Sequence, residues 1–374
     1  MTILIAPDKF KGSLNALQVC KAIERGIHKQ HPNIKCLLHP LADGGEGSID
    51  ILNSQLAFQK IDIETLDPLG QPIKGHYYQN EEAAFIELAT ASGLHLLSPK
   101  QQDPLLTSTE GTGLMILDAI KSGYRKIYLF IGGSATNDAA MGIAHALGYR
   151  FFDQNNHLLS PKGKNLSKIA CIQKKPLLFD KNKVHFTLLC DVNNPLFGKN
   201  GAAHIYARQK GASPSAIREL DCGLRHFAHI IRQQYGKDLS LIVGGGAAGG
   251  VAAGMSALFN TSIQSGIYTI MQFTNFEQKV QQSDLIISGE GQLDLQTLSG
   301  KVVQQVARLA RQYRRPLFLF VGKNKLTTKE AAPLHAQKIK SILDHAKDEQ
   351  AAITKAAKIL EEMAFSIPLF SSGL

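Results

Sequence analysis

The stretch ILIAPDKFKGSLNALQVCKAIERGIHK, residues 3–29, decides how the chain begins to fold. Residues 3–6 are an apolar run of strand length, and over 13–29 Leu14, Leu17, Val19, Ala22, Ile23 and Ile27 recur at helical spacing. The stretch therefore reads as strand, loop and helix, with Asp8, Lys9, Lys11, Gly12 and Ser13 in the loop and Ser13 as the expected N-cap. A second strand over 35–39 leads into Asp43-Gly44-Gly45-Glu46-Gly47, at a strand's carboxyl end, where α/β sheets place ligands. The same alternation returns late in the chain: a strand over 285–287 before Gly289-Glu290-Gly291-Gln292-Leu293-Asp294, a helix over 298–311, and strands over 316–321 and 339–343.

Between these ends the pattern changes. Short β-like runs over 61–66, 75–79 and 83–88 are broken by Asp67-Pro68, Gly70 and Gln79-Asn80, as in a meander. A helix over 113–122, a strand over 126–131 and the cluster Gly132-Gly133-Ser134-Ala135-Thr136-Asn137-Asp138, opening a helix over 139–147, give another strand, loop, helix unit. A strand over 185–190 delivers Asp191, and 241–257 reads as a short strand, a glycine loop and a helix rich in Ala and Gly. At 374 residues the chain exceeds what one core usually organises. The economical architecture is α/β: a discontinuous parallel-sheet domain from 1–62 and 276–374, with 63–275 inserted as a second α/β domain and the loop clusters collected in a cleft between them.

Composition narrows the function. With 44% hydrophobic and 19% charged residues, both domains can bury cores, and the net charge of +10 is spread without a Lys/Arg run or a basic stripe interleaved with aromatics. An anionic metabolite or plain surface charge accounts for that balance better than a nucleic-acid partner, which is not expected. Five cysteines without a CxxC pair suggest neither a disulfide framework nor a zinc site. The N-terminus enters a strand directly, and no apolar run approaches the length of a membrane span, so a cytoplasmic protein with no membrane partner is expected.

Asp8, Asp43, Glu46, Asp138, Asp191, Glu290 and Asp294 all follow expected strands, several beside glycine. Glycines let backbone amides approach anionic oxygens, and carboxylates beside them can hold a cation or take a proton. Phosphoryl transfer needs both, with bases such as Lys9, Lys11 and Lys210 to offset phosphate charge. A cap or loop brace explains any one of these carboxylates as well, but not seven at one kind of position. Gly244-Gly245-Gly246-Ala247-Ala248-Gly249 matches G-x-G-x-x-G, yet no acid follows about 20 residues on to hold a ribose, so a phosphate role or close helix packing fits equally. No Walker A loop occurs; Ser299-Gly300-Lys301 only imitates its end. Ser134, Thr136 and Asn137 could donate to an anion at a helix N-terminus or could cap that helix. No G-x-S-x-G elbow supports a hydrolase, and the 13 histidines show no ligand spacing for zinc.

On these residues the chain resembles the bacterial-type glycerate kinase family over nearly its whole length. The likeness runs through Ile5-Ala6-Pro7-Asp8, Phe10-Lys11-Gly12-Ser13-Leu14, Leu41-Ala42-Asp43-Gly44-Gly45-Glu46-Gly47 and Glu87-Leu88-Ala89-Thr90-Ala91-Ser92-Gly93-Leu94. It continues through Gly111-Thr112-Gly113, the Gly132 cluster, Asp191-Val192, Asn194-Pro195-Leu196, Gln209-Lys210-Gly211-Ala212, Gly246-Ala247-Ala248-Gly249-Gly250 and Gly289-Glu290-Gly291 with Asp294. The resemblance implies ATP- and Mg²⁺-dependent phosphorylation of D-glycerate, usually at the 2-hydroxyl, giving 2-phosphoglycerate and ADP. It also implies a flavodoxin-like fold for the domain built from both chain ends.

Carried onto this sequence, the resemblance points to Asp43, Asp191, Lys11 and Asp138 for catalysis and to Asp8, Ser13, Ser134, Asn137 and Lys210 for the substrate. Gly132, Gly133, Gly246, Gly249, Gly250, Glu290 and Asp294 would face the nucleotide, with Asp191 and Glu290 as metal ligands, although the sequence does not rank Asp43, Asp191 and Glu290 between metal coordination and taking the substrate proton. A homodimer is compatible with it. This chain departs from the family at Gln292 and Gln102, where Arg is usual, and at Lys9, where Ser is usual. Gln cannot supply the fixed positive fork of a guanidinium. A catalytically inactive ligand sensor on the same scaffold and an NAD-linked oxidoreductase stay open as alternatives at this point.

Overall fold

The apolar run at the N-terminus becomes an inner strand of a parallel sheet. In the computed structural model, which describes residues 1–367 other than Asp43, Glu46, Ala57, 176–178, Lys181 and Gly300, Thr2–Ile5 pairs in parallel with Lys35–Leu38 and with Leu285–Ser288. Leu317–Val321 and Lys338–Ser341 extend the sheet beyond Leu285–Ser288, again in parallel. Numbered along the chain within this unit, the strands lie in the order 2-1-3-4-5, the flavodoxin-like arrangement. A parallel sheet is covered on both faces, which accounts for its continuous apolar strands. Ile3, Ile5, Leu285, Ile287, Phe318 and Phe320 pack with Val19, Ile23, Ile27, Leu360 and Met363 from two helices. This unit comprises Met1–Asp43 and Ile267–Leu374.

The other unit, Gly44–Gly266, holds a six-stranded mixed sheet. Thr261–Gln264, His185–Leu189, Lys126–Phe130 and Ala83–Glu87 run parallel, and Pro72–Gln79 and Gln59–Leu66 complete it as an antiparallel meander. The division expected at 62/63 falls inside Gln59–Leu66. That strand pairs along its whole length, from Gln59 opposite Gln79 to Leu66 opposite Pro72, so it cannot be split between units.

Two local expectations are corrected. The first helix is Ala16–Gln30, and its N-cap is Asn15, not Ser13: Asn15 Oδ1 accepts from the Gln18 amide while Gln18 Oε1 accepts from the Asn15 amide, a reciprocal capping box. No strand forms over 241–243, because Leu239–Leu241 is a single 3₁₀ turn and Leu241 and Val243 are exposed.

Gly289, at the end of Leu285–Ser288, meets the neighbouring strand directly: a Cβ there would lie 1.7 Å from the Phe320 carbonyl oxygen. Gly289→Ala should therefore cost about 3 kcal/mol or more in urea unfolding, through forced displacement of that strand end. Gly12→Ala, where the added methyl meets nothing but φ is +79°, should cost only about 1–2 kcal/mol. Equal losses at the two positions would contradict the packing argument.

Candidate functional site

In a flavodoxin-like sheet the ligand crevice opens where the strand order reverses, here at the carboxyl ends of Thr2–Ile5 and Leu285–Ser288. The Asp8 amide donates to the Gly289 carbonyl at 2.8 Å, joining the two loops that leave those strands. The next loop is joined in turn: Gly322 N donates to Glu290 O at 3.0 Å and Lys323 N to Gly291 O at 3.1 Å, and Gln292–Leu293 pairs with Lys323–Asn324. These loops enclose a pocket of about 820 Å³ within this unit. Asp8, Lys9, Lys11, Ser13, Glu290 and Asp294 all line it, as does Gln292.

Five lysines line this pocket: Lys9, Lys11, Lys301, Lys323 and Lys325. Lys323 and Lys325 carry no signal in the sequence, and Lys301 stands out there only as the end of Ser299-Gly300-Lys301. The convergence of Lys323 and Lys325 depends on a two-residue strand pairing too short to leave a periodic signal, whereas Lys301 stands at the N-cap of Val302–Gln312. Glu290 is buried and its Oε1 accepts from Thr297 Oγ1 at 2.5 Å. Asp294 is partly desolvated, which opposes ionisation, but the Gln292 side-chain amide at 2.7 Å and backbone amides, including that of Gln296 at 2.9 Å, outweigh burial and hold its carboxyl below the usual carboxylate range. Gln292 thus braces Asp294. The Ser13 hydroxyl is engaged in the pocket wall, donating to Ile353 O at 2.7 Å.

A second constellation lies inside the other unit. Lys210, 3% exposed, donates through Nζ to Ser134 Oγ at 2.8 Å and to Thr136 O at 2.7 Å. Burial pushes its ammonium down to about 7, with the Asp138 charge opposing. Asp138 is fully buried, which pushes its carboxyl up, although Thr109 N and Oγ1, both at 2.8 Å, and Gly142 N at 3.1 Å donate to its Oδ2. Among the described residues seven buried side-chain polar atoms lack a partner, and four of them are Thr136 Oγ1, both amide atoms of Asn137 and Asp138 Oδ1. Buried polar groups are normally satisfied, so such a concentration marks a polar site rather than ordinary core.

Several glycines do other work than expected. Gly132 and Gly133 form a turn well before the helix Met141–Ala146, whose N-cap is Ala140, so they expose no amides at a helix start. A Cβ at Gly249 would lie 2.2 Å from Thr136 O, at Gly246 2.3 Å from Pro195 O, and at Gly250 2.8 Å from Leu196 Cδ1. Gly246 and Gly249 are held to glycine by close backbone, and Gly250 by the Leu196 and Leu224 side chains and a φ of +90°. With no strand before them and Ala247–Leu258 interrupted at residues 248–250, the strand-turn-helix context of a dinucleotide fingerprint is missing.

Asp191, past the end of His185–Leu189, accepts from the Gly266 amide at 3.1 Å, and Gly44 packs on the same glycine. Asp43 and Glu46 lie outside the described residues. Asp191 and Glu290, the expected metal ligands, belong to different units, and among the described residues no three His, Cys, Asp or Glu side chains converge as a metal site. Mg²⁺ commonly takes only one or two carboxylates beside phosphate oxygens and water. Asp8 and Glu290, both on the lysine-lined pocket, suit that pattern.

An α/β scaffold with one large sheet in each unit, lacking a Walker loop, separates this chain from the P-loop and protein kinases. The chain belongs to the glycerate kinase family, whose family model matches residues 3–370. It is 42% identical over 323 residues to a glycerate kinase of Halalkalibacterium halodurans, covering 86% of this chain and 85% of that protein. It is 37% identical over 324 residues to the glycerate 2-kinase of Escherichia coli, with coverage of 86% and 85%. A solved structure from Salmonella typhimurium LT2, of a protein proposed to be glycerate kinase 2, matches with a TM-score of 0.82 at 36% identity, over 98% of this chain and 96% of the other. Among the described residues no helix is long and apolar enough to cross a membrane.

The depressed Lys210 value has a measurable consequence. Between about 7 and the ordinary lysine range the unfolded chain binds a proton that the folded chain does not, so this group makes stability rise with pH through that window. Urea unfolding at pH 7 to 9 should show the unsubstituted protein gaining up to about 1.4 kcal/mol per pH unit relative to Lys210→Met. Parallel pH profiles would contradict a buried, titrating ammonium.

Proposed function

We propose that this chain transfers the γ-phosphoryl group of ATP to the 2-hydroxyl of D-glycerate, giving 2-phosphoglycerate and ADP. Family membership supports glycerate as acceptor, and the glycerate 2-kinase among its relatives supports the position. One observation carries the nucleotide half of the reading: five lysines and the carboxylates Asp8 and Glu290 share a pocket at the switch point of a flavodoxin-like sheet. In phosphoryl transfer the protein mainly positions groups and stabilises charge, and this pocket has the groups for both.

In this reading Lys11 and its neighbours take up polyphosphate charge. Mg²⁺, held by Asp8 and Glu290 with the phosphates, would supply further charge neutralisation. Asn137, Ser134 and Lys210 bind and orient glycerate, because their unit concentrates unmet hydrogen-bonding capacity around a buried ammonium. Asp138 balances the Lys210 charge. Asp191, less enclosed than Asp138, draws the proton from the substrate hydroxyl.

Purified protein should form ADP only when D-glycerate is present, and enolase should consume the product directly. Asp191→Asn should lower kcat about 100-fold or more with an unchanged circular dichroism spectrum. ATP turnover independent of glycerate, or a product that enolase uses only after a phosphoglycerate mutase is added, would contradict the assignment.

A further inference from the structure

Lys323 and Lys325 stand at alternate positions around Asn324, so their side chains leave the same face of the extended chain. Their backbones are fixed: Lys323 N donates to Gly291 O at 3.1 Å and Lys325 N to Leu293 O at 2.9 Å. Both side chains line the pocket. A carboxylate of a later helix reaches them. Glu349, first residue of the helix Glu349–Thr354, pairs through Oε1 with Lys323 Nζ. The hydrogen bond and charge of Lys323, with the charge of Lys325, hold the Glu349 carboxyl below its ordinary range.

The pair is open to solvent, with the Lys323 and Glu349 side chains 39% and 69% exposed, so it contributes little to stability and is readily exchanged for another anion. The helix that carries Glu349 also brings Ala352 and Ile353 to the pocket wall. A single carboxylate on the ligand would leave most of the five lysines unmatched, whereas a chain of phosphates carries several charges along one molecule.

We infer that Lys323 and Lys325 grip the polyphosphate of the nucleotide, and that Glu349 is an internal anion that occupies Lys323 until a phosphate displaces it. This rests on the assignment of the pocket to the nucleotide. Removing the carboxylate removes a competitor, and removing the ammonium removes a ligand.

The experiment is steady-state kinetics in ATP, with calorimetric binding of inorganic tripolyphosphate, on the full chain and on Glu349→Gln, Lys323→Met and the double variant. Glu349→Gln should lower the KM for ATP and the Kd for tripolyphosphate about 2- to 5-fold. Lys323→Met should raise both, and the double variant should match Lys323→Met, since no ammonium remains there for Glu349 to occupy. If Lys323→Met raises both constants but Glu349→Gln leaves them unchanged or raises them, Glu349 is no competitor and the inference falls while the pocket assignment stands. If Lys323→Met changes neither constant in an enzyme that still phosphorylates glycerate, the nucleotide lies elsewhere and both fall.

Discussion

Strand ends in the flavodoxin-like unit touch with no side chain between them. A Cβ at Gly289 would stand 1.7 Å from Phe320 O, and one at Gly322 would stand 2.3 Å from Gly291 O. That closeness lets the amides of Gly322 and Lys323 reach the carbonyls of Glu290 and Gly291. The short pairing of Gln292–Leu293 with Lys323–Asn324 follows. Glu290, Lys323 and Lys325 are therefore placed by backbone hydrogen bonds between neighbouring loops. The pocket's charge pattern is a consequence of strand packing.

The other unit applies the same constraint in its core. A Cβ at Gly254 would lie 1.8 Å from Ala139 O, and Ala139 N donates to Gly249 O at 3.1 Å. The chain passing these glycines takes left-handed φ values of 50° at Ala139 and 59° at Ala140, a conformation that L-residues adopt at a cost. Thr136, Asn137 and Asp138, just before that turn, are buried with unmet polar atoms beside the Lys210 ammonium. Strain, buried charge and unsatisfied groups coincide there, and proteins keep such violations of local rules where function needs them.

Much of this was legible in the sequence because it depends on periodicity. The apolar runs at 3–6, 285–287 and 316–321 named three strands of one sheet, and the meander punctuated by Asp67-Pro68 and Gly70 named the other unit's edge. The domain division was misplaced because the change of pattern near Ile61 falls within a strand. The Asn15 cap carried its own signal in Gln18, three residues on, but the apolar Leu14 drew the helix start forward to Ser13. The glycine run at 244–250 shows a deeper limit: glycine is required equally where a phosphate and where another backbone comes close, so spacing alone cannot separate the two. Lys323 and Lys325 leave no mark in the sequence because only tertiary pairing brings them to the pocket that Asp8 and Glu290 line.

The central claim is that the nucleotide occupies the switch point of the flavodoxin-like sheet. Amide hydrogen exchange of the full chain, with and without ADP and Mg²⁺, tests it most directly. The account predicts new protection in the loops at 8–13, 289–294 and 322–325. Protection absent from those loops and concentrated at 244–250 would contradict it.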